Sequence, residues 1–130
     1  NKDALKGGYV LKKQESPDLL IIATGSEVKL ALDASEILEK EGIKAQVVSM
    51  MCQEIFDQQD QEYKDSVIPK DVEKRVSIEC LSTYGWQKYT GLNGLNIGID
   101  EFGMSAPGNK IMEHFGFTTD KIVEKIKKYL

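Results

Sequence analysis

Short, solid apolar runs alternate along this chain with longer stretches in which apolar residues return at helical spacing. Tyr9-Val10-Leu11-Lys12 follows Gly7-Gly8 and closes on two lysines, Lys12 and Lys13, which predicts an edge strand whose charges discourage pairing with other chains. Leu19 to Ala23 is apolar throughout, as a strand buried on both faces requires. Thr24-Gly25-Ser26 then turns the chain. Thr24 with Glu27 matches a capping box, with Ser26 as a rival N-cap. Val28, Ala31, Leu32, Ser35 and Leu38 repeat at helical spacing until Glu41-Gly42, where Gly42 suits the residue after a helix C-cap.

The alternation continues. Ala45 to Ser49 reads as a strand, and the polar stretch from Met51 to Val67 carries two helical patterns, around Glu54 to Gln58 and Gln61 to Ser66. Val76 to Glu79 predicts a short strand, Ser82 to Gly91 a short helix, and Asn96 to Ile99 another strand. Ser105-Ala106-Pro107 opens a helix that runs to His114, since proline is favoured at a first helical position. Thr118-Thr119-Asp120 opens the last helix, with Ile122, Val123, Ile126, Tyr129 and Leu130 as its buried stripe. One strand followed by four strand–helix units predicts right-handed crossovers and a mostly parallel sheet covered on both faces.

A length of 130 residues suits one domain. Seventeen Lys plus Arg against 21 Asp plus Glu give a net charge of −4, and Arg75 is the only arginine. Nucleic-acid binding needs a dense positive stripe, and bidentate phosphate clamps favour arginine, so this balance argues against both. Cys52 and Cys80 stand too far apart for a metal motif and read as reduced, buried, small apolar residues. The sequence offers no run of about 18 apolar residues and no signal peptide at Asn1 to Lys6. A cytoplasmic protein without a membrane span is expected.

Candidate chemistry is sparse. Thr24-Gly25-Ser26 between strand and helix is a candidate anion turn, because a helix N-terminus presents free amides at its positive end. Against it, both glycine-rich phosphate fingerprints are missing and Glu27 places a competing carboxylate in the first turn. A helix-capping turn is the preferred reading. His114, the only histidine, has no neighbours that suggest a triad or a zinc site. Asp57, Asp60 and Glu62 lack a cation-loop pattern and read as solvated helix charges. Glu79 and Asp100 fall near the carboxyl edge of the sheet, where open α/β sheets bind ligands, with nothing to specify a substrate. Tyr84, Trp86 and Tyr89 form an aromatic cluster between Gly85 and Gly91 that either pads the end of the sheet or anchors a partner surface.

A family resemblance joins these pieces. Ala23-Thr24-Gly25-Ser26-Glu27-Val28 resembles the first parallel strand–turn–helix of the transketolase C-terminal domain. Glu41-Gly42-Ile43 leading to Val47-Val48-Ser49-Met50 looks like its next unit. Phe56-Asp57, Gln59-Asp60, Glu62-Tyr63, Ser66-Val67 and Pro69 fit the polar helical stretch. Gly91-Leu92-Asn93-Gly94, Gly98, Phe102-Gly103, Ser105-Ala106-Pro107 and Phe115-Gly116-Phe117-Thr118 follow in order. Two positions depart from the family pattern: Met51 stands where proline is frequent, and Cys80-Leu81 where Ala-Gly is frequent.

The resemblance implies a three-layer α/β/α fold with a five-stranded mixed sheet in order 1-3-2-4-5, four strands parallel and strand 1 an antiparallel edge. It implies a single domain over residues 1–130, with 1–8 as an N-terminal linker. It implies a parent enzyme that moves two-carbon ketol units between sugar phosphates, using thiamine diphosphate and a divalent cation, magnesium or calcium. The catalytic histidines, the activating glutamate and the Gly-Asp-Gly metal motif belong to the preceding domains, and the family's sugar-phosphate arginine would fall before Asn1. No catalytic, cofactor or metal residue is therefore expected in this chain. Its expected partners are the other domains of the parent and the dimer mate. An autonomous module binding a small anion or nucleotide at the carboxyl edge is the alternative.

Overall fold

The computed structural model describes residues 5–24, 27–79, 87–91, 94–98 and 119–130. Five strands, β1 (Gly8–Lys12), β2 (Leu19–Ala23), β3 (Ala45–Met50), β4 (Arg75–Glu79) and β5 (Leu95–Gly98), form one sheet in the order β1-β3-β2-β4-β5. β1 runs antiparallel to β3, and the β3–β2, β2–β4 and β4–β5 pairs are all parallel. Helices α1 (Glu27–Lys40), α2 (Gln53–Asp57), α3 (Gln61–Val67), α4 (Gln87–Thr90) and α5 (Thr119–Tyr129) complete the described elements.

The period of two along the strands sorts side chains into two cores. In β2, Leu19, Ile21 and Ala23 join one cluster while Leu20 and Ile22 join the other. β3 divides likewise, with Ala45 and Val47 on the first face and Val48 and Met50 on the second. α1 and α5 cover the first face through Ala31, Ala34, Leu38, Ile122 and Ile126. Phe56 of α2, Val67 of α3 and Tyr89 of α4 cover the second. The result is the three-layer architecture expected, with the expected strand order. Burying each large aliphatic side chain stabilises such a core by about 1.5–3 kcal/mol.

Local chemistry ends the elements where the pattern predicted. Gly42 adopts φ +83°, its amide donates to the Glu39 carbonyl at 3.0 Å, and the Ile43 amide donates to Leu38 at 2.9 Å. These two bonds satisfy the carbonyls that the end of α1 would otherwise leave open. At the β1 edge the register breaks between Val10 and Lys12, and the Lys12 ammonium meets Glu39 at 3.2 Å and Ser35 Oγ at 3.2 Å. Bulge and lysine together blunt the edge.

Several boundaries differ from expectation. Gly7 and Gly8 are buried and Gly8 begins β1, so the expected linker 1–8 overlaps the folded body at its last two residues. A side chain at Gly7 would strike the Cys52 carbonyl and the Phe56 amide, which the alternation of polar and apolar residues cannot reveal. β5 lies one residue earlier than Asn96 to Ile99, since Leu95 pairs with Val76 on β4. Cys52 is half-buried rather than buried, because it precedes α2 at the rim of the sheet. Cys80, the helix leading to His114, and Asp100 lie outside the described residues.

Candidate functional site

Thr24 sits at the carboxyl end of β2, and its carbonyl accepts a 2.9 Å hydrogen bond from the Glu27 amide as α1 begins. Gly25 and Ser26 lie outside the described residues. Glu27, in the first turn, is only 2 % exposed. A buried carboxylate at a helix N-terminus occupies the field that would attract an external anion.

Polar chemistry converges instead beside Arg75, the first residue of β4. Its Nε donates to the Val72 carbonyl at 2.9 Å, one terminal nitrogen to Tyr89 at 2.9 Å and the other to Pro69 at 3.0 Å. The guanidinium thereby ties the loop before β4 to the end of α4, and its fork geometry makes three separated carbonyls reachable at once. Next to it opens a cavity of about 340 Å³, walled by Phe56, Asp57, Lys64, Lys70, Arg75 and Tyr89. The Tyr89 hydroxyl donates to Asp57 Oδ1 at 2.8 Å, and its ring meets Phe56 edge-on at a centroid distance of 5.9 Å. Burial pushes the Tyr89 phenol far above its ordinary pKa, helped by the hydrogen bond to Asp57, the charge of Asp57 and that of Cys52.

The acidic residues of α2 and α3 have local tasks. Asp60 caps α3 by accepting from the Tyr63 amide at 2.8 Å, and Asp57 holds Tyr89. Tyr63 reaches across to donate to the Gly8 carbonyl at 2.8 Å. Glu79 ends β4 opposite Gly98 of β5. Among the described residues no group of three His, Cys, Asp or Glu converges as metal ligands do. Glu39 has its pKa lowered, first by a hydrogen bond from Gln14, then by the hydrogen bond and charge of Lys12.

Of the aromatic trio, Tyr89 is 6 % exposed and belongs to the second core, while Tyr84 and Trp86 lie outside the described residues. Sequence reasoning missed the Arg75 tie. The one available signal was a lone arginine opening a strand after a proline-containing loop. Nothing local pairs Asp57 with Tyr89, because they meet only when α2 and α4 pack on the same face.

An open mixed sheet with one antiparallel edge, covered by helices on both faces, defines a three-layer α/β domain. The family model for the transketolase-like TK C-terminal domain matches residues 7–118, and the chain belongs to that family. It is 51% identical over 122 residues to transketolase of Aquifex aeolicus, covering 93% of this chain and 18% of that protein. It is 49% identical over 128 residues to a chloroplastic transketolase of Solanum tuberosum, covering 96% of this chain and 17% of that protein. Transketolase of Pichia stipitis, solved with sedoheptulose-7-phosphate, superposes with a TM-score of 0.87 at 44% identity, covering 98% of this chain and 18% of that one. The chain thus spans about a fifth of the length of the relatives it matches. No helix among the described residues is long and apolar enough to cross a membrane.

Proposed function

We propose that this chain is the domain-packing C-terminal domain of a cytoplasmic transketolase, which transfers two-carbon ketol units between sugar phosphates. It forms a single domain over residues 1–130 and carries no catalytic residue of its own. Thiamine diphosphate and its divalent cation are held by the other domains of the parent, which works as a dimer. The observation that carries this reading is the disposition of Arg75. The only arginine, and so the best diphosphate clamp in the sequence, donates to three backbone carbonyls of its own domain.

The described residues do not fit thiamine diphosphate. Beside the committed Arg75, the cavity places Asp57 and Asp65 among its lysines, and carboxylates there repel a diphosphate. Glu27 is buried at the start of α1. No step of ketol transfer is therefore routed through these residues. Tyr84 and Trp86 are a proposed contact with the neighbouring domains, whereas Tyr89 is 6 % exposed and packs in the second core. The turn Thr24-Gly25-Ser26 is proposed to serve helix capping rather than anion binding.

The test is an activity comparison. The full-length parent should convert a ketose phosphate and an aldose phosphate when supplied with cofactor and magnesium. The 130-residue chain should show no turnover under the same conditions. Turnover by the chain alone, or none by the parent, overturns the reading.

A further inference from the structure

The rim at the carboxyl end of β3 carries three apolar side chains that neither core uses: Leu5 is 82% exposed, Met51 64% and Ile55 42%. Backbone contacts hold their segments together. The Gly7 carbonyl accepts from the Met51 amide at 2.6 Å and the Cys52 amide at 2.9 Å, and Gly7 packs against the backbone of Cys52, Ile55 and Phe56. The neighbours Met50 and Phe56 are buried, so the exposure of Met51 and Ile55 follows from the strand and helix phases that fill the second core. Scattered exposed apolar residues need no explanation, but these three fall on segments that backbone contacts hold together on one rim.

The charges around the patch are mostly acidic, with Lys6 beside Leu5 as the exception. From Met51 to Tyr63 the sequence holds neither lysine nor arginine, and Glu54, Asp57, Asp60 and Glu62 are exposed. The ammonium of Lys6 lies over the Tyr63 ring, 4.2 Å from its centroid. An apolar centre with an acidic rim fits a partner face with an apolar centre and a basic rim.

We propose that Leu5, Met51 and Ile55 are the docking face for the domain that precedes this one in the parent polypeptide. The proposal rests on the transketolase reading above. The family is a C-terminal domain, and the chain covers 18% of the Aquifex aeolicus relative, so the remaining polypeptide enters from the amino-terminal side. It arrives at the turn that bears Leu5, which is itself part of the patch. A domain joined through a short flexible linker of the same polypeptide is held at an effective concentration in roughly the millimolar range. A patch of three side chains suffices under that condition, where it would not capture a freely diffusing protein. A second copy of this chain is the poorer occupant, because a two-fold contact sets the acidic rim against itself.

Oxidation of two adjacent methionines tests this. Hydrogen peroxide converts exposed thioethers to sulfoxides, and Met50 (0% exposed) is a built-in control for Met51 (64%). In the isolated chain Met51 should oxidise readily and Met50 should not, as read by fragment-ion mass spectrometry. In the full-length parent Met51 oxidation should slow by at least about tenfold, by the loss of accessible thioether. Ile55→Lys in the parent should restore it, while leaving the thermal midpoint of the isolated chain unchanged. Equal Met51 rates in isolated chain and parent overturn the proposal. Ketol transfer measured on the same parent sample separates the two claims. An active parent with unprotected Met51 defeats the docking face alone, and an inactive parent with protected Met51 defeats the transketolase reading and leaves the face standing.

Discussion

Arg75 shows how much one side chain can carry in a domain of this size. Its three donors close the loop before β4 and the end of α4 at once, with distances of 2.9, 2.9 and 3.0 Å. Lysine keeps the charge but has no planar fork, and it cannot serve Val72, Pro69 and Tyr89 together. Arg75→Lys should therefore cost about 2–3 kcal/mol, the scale of losing charge-assisted hydrogen bonds to part-buried carbonyls. A urea unfolding series measures it, and a midpoint within error of the original would contradict the role given to this residue. Tyr89 adds a pH dependence. Its folded pKa is raised, so its stabilisation is complete below the unfolded value of about 10 and is lost as pH rises above it. Stability should fall by up to about 1.4 kcal/mol per pH unit more steeply in the original than in Tyr89→Phe above pH 10. Parallel curves for the two proteins would show that the phenol is not coupled to folding.

At the scale of elements, what was legible followed local period and punctuation. The solid apolar run Leu19 to Ala23, the helical repeat ending at Gly42 and the Ile122, Val123 and Ile126 stripe of α5 appear where the pattern placed them. Leu130, expected in that stripe, lies past the helix end and is 43% exposed. Misplacements occur where a distant element decides. β5 is set by its pairing with β4, and Gly7 is set by the approach of α2. Two glycines make this difference measurable. Gly42 and Gly7 both have positive φ, +83° and +86°, but a methyl group at Gly42 meets nothing whereas one at Gly7 strikes backbone. Gly42→Ala should cost about 1–2 kcal/mol from backbone strain alone. Gly7→Ala should cost more than that, with the excess set by how far α2 must shift away from β1. Thermal unfolding of both variants checks the order, and an equal loss would mean that the close approach relaxes without consequence.

For the whole molecule, the fold was readable and most of the polar site was not. Strand order came with the family resemblance, and alternation along β2 and β3 independently demands two covered faces. The Arg75 tie and the Asp57–Tyr89 pair join residues from separate layers of the sequence, so no window of local pattern contains them. Arg75 commits its donors to backbone carbonyls of its own domain, and Tyr89 commits its hydroxyl to the Asp57 side chain. The central claim is that this domain packs and holds no cofactor. Calorimetric titration of the isolated chain with thiamine diphosphate and magnesium tests it most directly. The expected result is no heat of binding at millimolar ligand. A saturable isotherm with a micromolar dissociation constant, about −8 kcal/mol, would contradict it.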